Sequence, residues 1–530
     1  GGRVDIEVQG AVTIAGVGKS PSAIFTNLAP GAKGQAGNIN IRSGSFSLTD
    51  GARLVSSTSG QGDAGNISIQ TSGAVELDGN SFIFNNVEAG GEGDAGLISI
   101  KADSLSITNG AQVQSLVRQA QNGQNAGQGN GGRVDIDVQG AVIIAGQLGN
   151  FSSAIFTDLL LGTRGKAGDI NIRSGSLSVK DGAEISSSTF GEGDAGNISI
   201  QTSGAVELSD LAVIFNDVEA EGVGNAGSIS INADSFSLTN GAQVVVSSTG
   251  TGKAGNIEII ANRVLLDNQG KLLAEATSVE GGNIILQVED WLLMRHNSLI
   301  SAEAGNKANP GNGGNITINA GFVIAVPSEN SDIIADAFLG NGGNINITTQ
   351  GIFGLEFRPK RTPKSDITAS SQFGLSGTVN ITQLNIDPTQ GLSELPIDTV
   401  APQLDQTCSP TGSGRNEFTV TGRDGLPPSP TDMLSSQRAM ADLGTPVNSI
   451  QQTRGHGDAG TGRREIPSQN SFTSPTTNPT SSSQPLVEAK GWIIDEQGNV
   501  TLTAYVPTAN TQETWQPQPS CQRDNAPKRR

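Results

Sequence analysis

Acidic glycine loops are the first segments of this 530-residue chain that could do chemistry. Gly60-Gln61-Gly62-Asp63-Ala64-Gly65, Gly91-Glu92-Gly93-Asp94-Ala95-Gly96 and Gly191-Glu192-Gly193-Asp194-Ala195-Gly196 each set a carboxylate among glycines. Calcium takes oxygen ligands, and a turn that turns its carbonyls toward a carboxylate can supply them. A calcium nonapeptide turn separates Gly and Asp by one residue. Here Asp63, Asp94 and Asp194 follow glycine directly, Lys253 replaces the Asp in a later copy, and Gly34-Gln35-Ala36-Gly37 has none. Two readings stand: a structural turn, or a weak calcium site.

Acid–base chemistry needs a site made once, so it is sought where the pattern breaks. Repeating strands can carry carboxylates, with a metal or a basic residue, on one face for polysaccharide cleavage. Glu289-Asp290-Trp291-Leu292-Leu293-Met294-Arg295-His296 is the most unusual window and holds one of two histidines. It also reads as a plain strand, with Leu292 and Met294 inward and Arg295 and His296 in solvent. Phe357-Arg358-Pro359-Lys360-Arg361-Thr362-Pro363-Lys364 reads as a basic, exposed loop, and His456 falls in the tail. No Ser/His/Asp set, zinc spacing or phosphate loop stands out, so no catalytic residue and no resident cofactor is assigned.

The elements that must position these residues are repeats. Gly-Asp-Ala-Gly-Asn-Ile-Ser-Ile-Gln-Thr-Ser-Gly-Ala-Val-Glu-Leu runs from Gly62 to Leu77 and again from Gly193 to Leu208. A Gly-x-Ile/Val marker recurs from Gly2 to Gly377 at gaps of 27 to 36 residues. Gly37 to Gly168, Gly65 to Gly196 and Gly96 to Gly227 are each 131 apart, so a four-unit block, residues 1–130, recurs as 131–260. Within a unit the period is two. Ile67 and Ile69 share one face of a strand, Val75 and Leu77 continue it, and Phe82-Ile83-Phe84 makes a third short run. Three short strands in about 30 residues, repeated, imply an all-β chain built as a parallel β-helix of about a dozen coils. A β-sandwich competes, but its strands do not repeat in sequence. One position carries Asn38, Asn66, Asn197, Asn256, Asn283, Asn315 and Asn344. Stacked asparagines can hydrogen-bond along the axis as a ladder.

Composition agrees with a narrow core. There are 71 Gly, 3 Trp and 1 Tyr, and aromatics make up 4%. The net charge of −19 carries no basic footprint for nucleic acid. No stretch approaches the ~20 apolar residues of a transmembrane helix. The chain opens inside a repeat, at Gly1-Gly2-Arg3-Val4-Asp5-Ile6, and reads as a fragment of a longer protein. Its want of a signal peptide therefore does not imply a cytoplasmic location.

The repeat is expected to span 1–385. Residues 386–530 read as a low-complexity tail rich in Pro, Ser and Thr, with a short hairpin near 491–506. Cys408 and Cys521, the two cysteines, lie in that tail. They could close it with one disulfide in an oxidising compartment, or remain free thiols.

Units of the form Gly-Asn-Ile-x-Ile…Leu-x-Leu-x-Asn/Asp-Gly-Ala-x-Val/Ile-x-Ser-Ser-Thr, clear at Lys101 to Val113 and Asn232 to Val244, resemble the filamentous haemagglutinin-like exoproteins of cyanobacteria. The tail is similar too: Cys408, then Phe418-Thr419-Val420-Thr421-Gly422-Arg423-Asp424-Gly425-Leu426-Pro427-Pro428, Trp492 and Cys521. The resemblance implies a right-handed parallel β-helix exported by two-partner secretion. An outer-membrane β-barrel transporter would recognise an N-terminal secretion domain, whose Asn-Pro-Asn-Gly motif this sequence lacks. The implied location is extracellular or on the cell surface, and the implied role an adhesin-like fibre with a surface or glycan receptor. A polysaccharide-acting enzyme and a passive surface layer are the alternatives.

Overall fold

Alternation along each strand decides which side chains are inside. In Ile67–Thr71 both isoleucines are fully buried, while Ser68 is half-buried and Gln70 exposed. Successive side chains of a strand point to opposite faces, so one face of every run is apolar and must be covered. The next coil covers its edge and the opposite wall covers its face. The result is an all-β parallel β-helix of about twelve turns, seen in a computed structural model that describes residues 2–16, 21–277 and 279–383, and the backbone of Gly491–Ile494 and Val500–Thr503.

Each coil contributes two strands to one 20-stranded sheet and a third, short strand to a 13-stranded sheet. In an early coil these are Ile39–Ser43, Ser45–Thr49 and Arg53–Val55. From Ile229–Leu238 onward the first two run together as one long strand. Pairing within the stack is parallel and keeps equivalent residues level. Ile39, Ile67, Ile98, Val134 and Ile170 follow one another through five coils. A slip of one residue would turn every isoleucine outward, so burial fixes the register. At about 4.8 Å per coil, twelve coils extend roughly 60 Å. The main core is a column of Ile, Val, Leu and Ala, with Phe46 and Phe236 the largest fully buried side chains, and a small second cluster gathers Val87, Val117, Leu159 and Ala167.

The Asn/Asp-Gly-Ala signature has a backbone cause. Asp50, Asn109, Asp181 and Asn240 all adopt positive φ, between 52° and 57°, and Gly51 follows with φ 80°. Asp and Asn tolerate this left-handed region and Gly enters it at no cost. The turn swings the chain from the second strand into the short one. Glycine in the acidic loops has a different cause. A Cβ on Gly62 would lie 1.6 Å from the Gly34 carbonyl oxygen, and one on Gly193 1.5 Å from that of Gly165. Successive coils touch there through bare backbone.

Contacts divide the chain into Gly1–Pro402 and Gln403–Arg530. In the second unit Gly491–Ile494 pairs antiparallel with Val500–Thr503, Trp492 opposite Leu502, within the span expected for a hairpin. Cys408 and Cys521 lie outside the described residues. Among those described, no helix is long and apolar enough to cross a membrane.

Candidate functional site

Three ladders run along the stack, and they claim most of the residues that looked functional. The Asn66 backbone N–H donates to the Asn38 side-chain Oδ1 at 2.8 Å, and Asn66 Oδ1 accepts from the Leu97 N–H at 2.8 Å. Asn197 serves the Ser228 N–H in the same way. Asn256, Asn283, Asn315 and Asn344 form an unbroken run of amide-to-amide bonds of 2.8 to 3.0 Å. The acidic loops follow the same rule. Asp63 Oδ1 accepts the Asp94 N–H at 2.9 Å, Asp94 Oδ1 the Asn130 N–H at 2.8 Å, and Asp194 Oδ1 the Asn225 N–H at 2.8 Å. Among the described residues no group of three or more His, Cys, Asp or Glu gathers as a metal cluster.

The third ladder lies beside the short-strand sheet, and sequence reading missed it. Its side chains change type from coil to coil: Asn27, Ser57, Asn86, then Asp158, Ser188, Asp217 and Ser247. Asn27 and Ser57, and again Asp158, Ser188 and Asp217, each accept the backbone N–H of the member that follows. Asn86 Oδ1 accepts from Leu116 at 2.9 Å, Asp158 Oδ1 from Ser188 at 2.7 Å, and Asp217 Oδ1 from Ser247 at 2.6 Å. The Ser186 hydroxyl also donates to Asp158 at 2.7 Å.

Carboxylates on this face are hard to ionise. Burial pushes Asp158, only 6% exposed, up to about 6 against the opposing pull of Ser186 and Ser188. Burial likewise pushes Asp217 up to about 7. It also raises Glu184, Glu303 and Asp332. An acid that holds its proton near neutrality could serve as a general acid. Asp158 and Asp217 are instead engaged by amides and hydroxyls of the next coil. Glu275 and Glu303, on adjacent coils, line a groove of about 420 Å³ with Val245, Ser247, Leu273 and Thr277, and Glu303 is held there by Arg361. The Ser301 hydroxyl donates to Glu275 at 2.5 Å.

The unusual window divides as its alternation requires, with one correction. Leu292 and Met294 are fully buried. Arg295 and His296 are not free in solvent. Arg295 holds Glu329 through two bonds of 2.6 and 2.7 Å, and His296 Nδ1 lies 2.6 Å from Asp267. The Arg295 hydrogen bonds bring Glu329 down to about 2. The basic loop is exposed, as its sequence suggests, and its two arginines are in addition tied down by ion pairs. Arg358 pairs with Glu356 and Asp366; Arg361 pairs with Glu303 and, at 3.0 Å, with Asp336. A carboxylate half withdrawn from water needs a partner, and these loops supply it. Such partners lie one or two coils away, 25 to 34 residues in sequence for Asp336 and Glu329, where no local pattern marks them.

Comparison with family models, with curated proteins and with solved structures finds no match to this chain.

Proposed function

We propose that the chain acts as a rod displayed outside the cell or on its surface, adhesin-like, working by contact along its outer face. The observation that carries this reading is where the polar residues go. Asn and Asp of the repeats are taken up in coil-to-coil hydrogen bonds, so what each coil leaves for a partner is its outward columns and loops. Many weak, equivalent contacts along such a stack would sum to firm attachment. Export through an outer-membrane β-barrel transporter, by two-partner secretion, belongs to the same proposal and rests on the family resemblance. Coating beads with the full chain and scoring retention on cells and on a glycan array tests it. Retention above an uncoated control is expected. Uniform absence of retention would instead favour a passive layer.

One observation favours a second reading, a polysaccharide-acting enzyme: Glu275 and Glu303 stand on adjacent coils at one groove. Release of reducing ends from a glycan panel, abolished by Glu275→Gln, would establish it.

A further inference from the structure

The last coils carry an aromatic strip on the second-strand face, where earlier coils carry small or polar residues apart from Ile143. One outward column runs Ser235, Arg263, Trp291, Phe322, Gly351, and the next runs Ser237, Leu265, Leu293, Ile324, Phe353. The equivalent residues of an early pair of coils are Ala74 with Glu76 and Ser104 with Ser106. Phe322 is 39% and Phe353 55% exposed, and Trp291, Leu265, Leu293 and Ile324 are partly exposed. A contiguous apolar patch on a polar surface marks an interaction site more often than chance exposure.

Two glycines shape the strip. A Cβ on Gly351 would lie 3.0 Å from Phe353 Cε2 and 3.4 Å from Phe322 Cδ1. The Phe353 ring therefore fills the place of the missing side chain, 6.3 Å from the Phe322 ring and inclined to it by 34°. Trp291, Phe322 and Phe353 so form one row along the axis. At the strand spacing the row covers about 10 Å, room for a disaccharide. The second glycine is Gly321. Strand Asn283–Met294 has an extra residue against its neighbours, with Glu289 and Asp290 opposite Gly321. A Cβ on Gly321 would sit 2.2 Å from the Asp290 carbonyl oxygen, so only glycine admits this bulge. Bulges re-aim side chains beside functional sites. This one places two exposed carboxylates next to Trp291, with neither hydrogen-bonded nor ion-paired among the described residues. Arg263, in contrast, is paired with Asp234 at 3.4 Å.

We propose that this strip binds an uncharged, extended β-linked glycan, its sugar rings stacked on Trp291, Phe322 and Phe353 and its hydroxyls donating to Glu289 and Asp290. A flat row of rings suits the apolar faces of a ribbon-like sugar chain, and an indole or phenyl ring offers a large rigid contact area. Charge selects among glycans. Two carboxylates on the patch, in a chain of net charge −19, repel anionic polysaccharides and accept hydrogen bonds from neutral ones. This assignment rests on the surface-rod reading and names the ligand of one part of it.

Affinity electrophoresis of the full chain tests it, with hydroxyethylcellulose or carboxymethylcellulose cast into the gel. Retardation is expected with the neutral polymer and not with the charged one. Trp291→Ala and Phe353→Ala should each weaken it about tenfold, the change that a single good contact makes. Asp290→Asn should weaken it less. Phe373→Ala, which removes another exposed ring away from the strip, should leave it unchanged, and thermal melting verifies that each variant is folded. Absence of retardation, equal retardation by both polymers, or indifference to Trp291 and Phe353 in folded variants overturns the proposal. Retention on cells or arrays that survives loss of the strip refutes this ligand while leaving the surface rod standing. Loss of all retention by the unaltered chain refutes both.

Discussion

Replacing Asp158 by Asn should make the solenoid more stable at alkaline pH and leave it almost unaltered in acid. Asp158 has an ordinary value of 3.8 and is pushed up to about 6 by burial. Between those values the folded chain holds a proton that the unfolded chain has lost. Stability therefore falls as pH rises from about 4 to about 6 and then levels off. A shift of about two units, at ~1.4 kcal/mol each, amounts to about 3 kcal/mol. The side chain is almost wholly buried, so solvent screening takes little from this figure. Asparagine keeps the oxygen that accepts from the Ser188 N–H and the Ser186 hydroxyl, but cannot ionise. The gap between Asp158→Asn and the parent should open by about 3 kcal/mol from pH 4 to pH 8. Because a solenoid can open coil by coil, hydrogen exchange of the amides around Ser188 is the sharper assay, with denaturant melts alongside. Asp217, whose ionisation the Asp158 charge opposes, should titrate lower in the variant. A gap that stays constant across this range would refute the reasoning, as would a carboxyl NMR titration placing Asp158 near 4.

Asn283→Ala breaks the asparagine run on both sides and should cost about 1–2 kcal/mol in denaturant melts, against about 0.5 or less for the exposed Asn319→Ala. Leu292→Ala should cost about 2–5 kcal/mol and the outward Leu293→Ala far less, so equal losses would contradict the assigned faces. Arg361→Ala leaves Glu303 and Asp336 without their shared cation and should destabilise by about 1–3 kcal/mol, less than for a fully buried pair because the Arg361 side chain is 41% exposed. That loss should shrink in acid, where Glu303, already raised by burial, takes up a proton. Calcium in millimolar excess, or a chelator, should leave the melting temperature unmoved, because Asp63, Asp94 and Asp194 already accept from the next coil; a clear rise with calcium would show that these loops bind it.

What could be read beforehand was whatever repeats. Ile67 and Ile69 recur in coil after coil, so their burial and the parallel stacking follow from pattern alone. The asparagine row was legible because one residue type recurs at one position. The row through Asn86, Asp158, Ser188 and Asp217 obeys the same geometry, yet its members share only an acceptor oxygen, and residue identity hides it. The partners of Arg295 and Arg361 were illegible for another reason. They belong to coils that broke the pattern together, and proximity across coils has no local sequence mark. The aromatic strip was not legible: Trp291 lies in the unusual window, but its alignment with Phe322 and Phe353 depends on a bulge and two glycines.

The 131-residue duplication has a genetic consequence. Val4 sits level with Ile39 as Val134 does with Ile170, so the seam between coils is the same in both copies. A crossover between the two copies that deleted residues 37–167 would set the coil before the cut onto one that already fits it. Every strand would still find its neighbour. Length can therefore be gained or lost by recombination in whole blocks, without passing through a sequence that fails to fold. For the surface rod proposed above, that would make length a heritable setting that can change in one step.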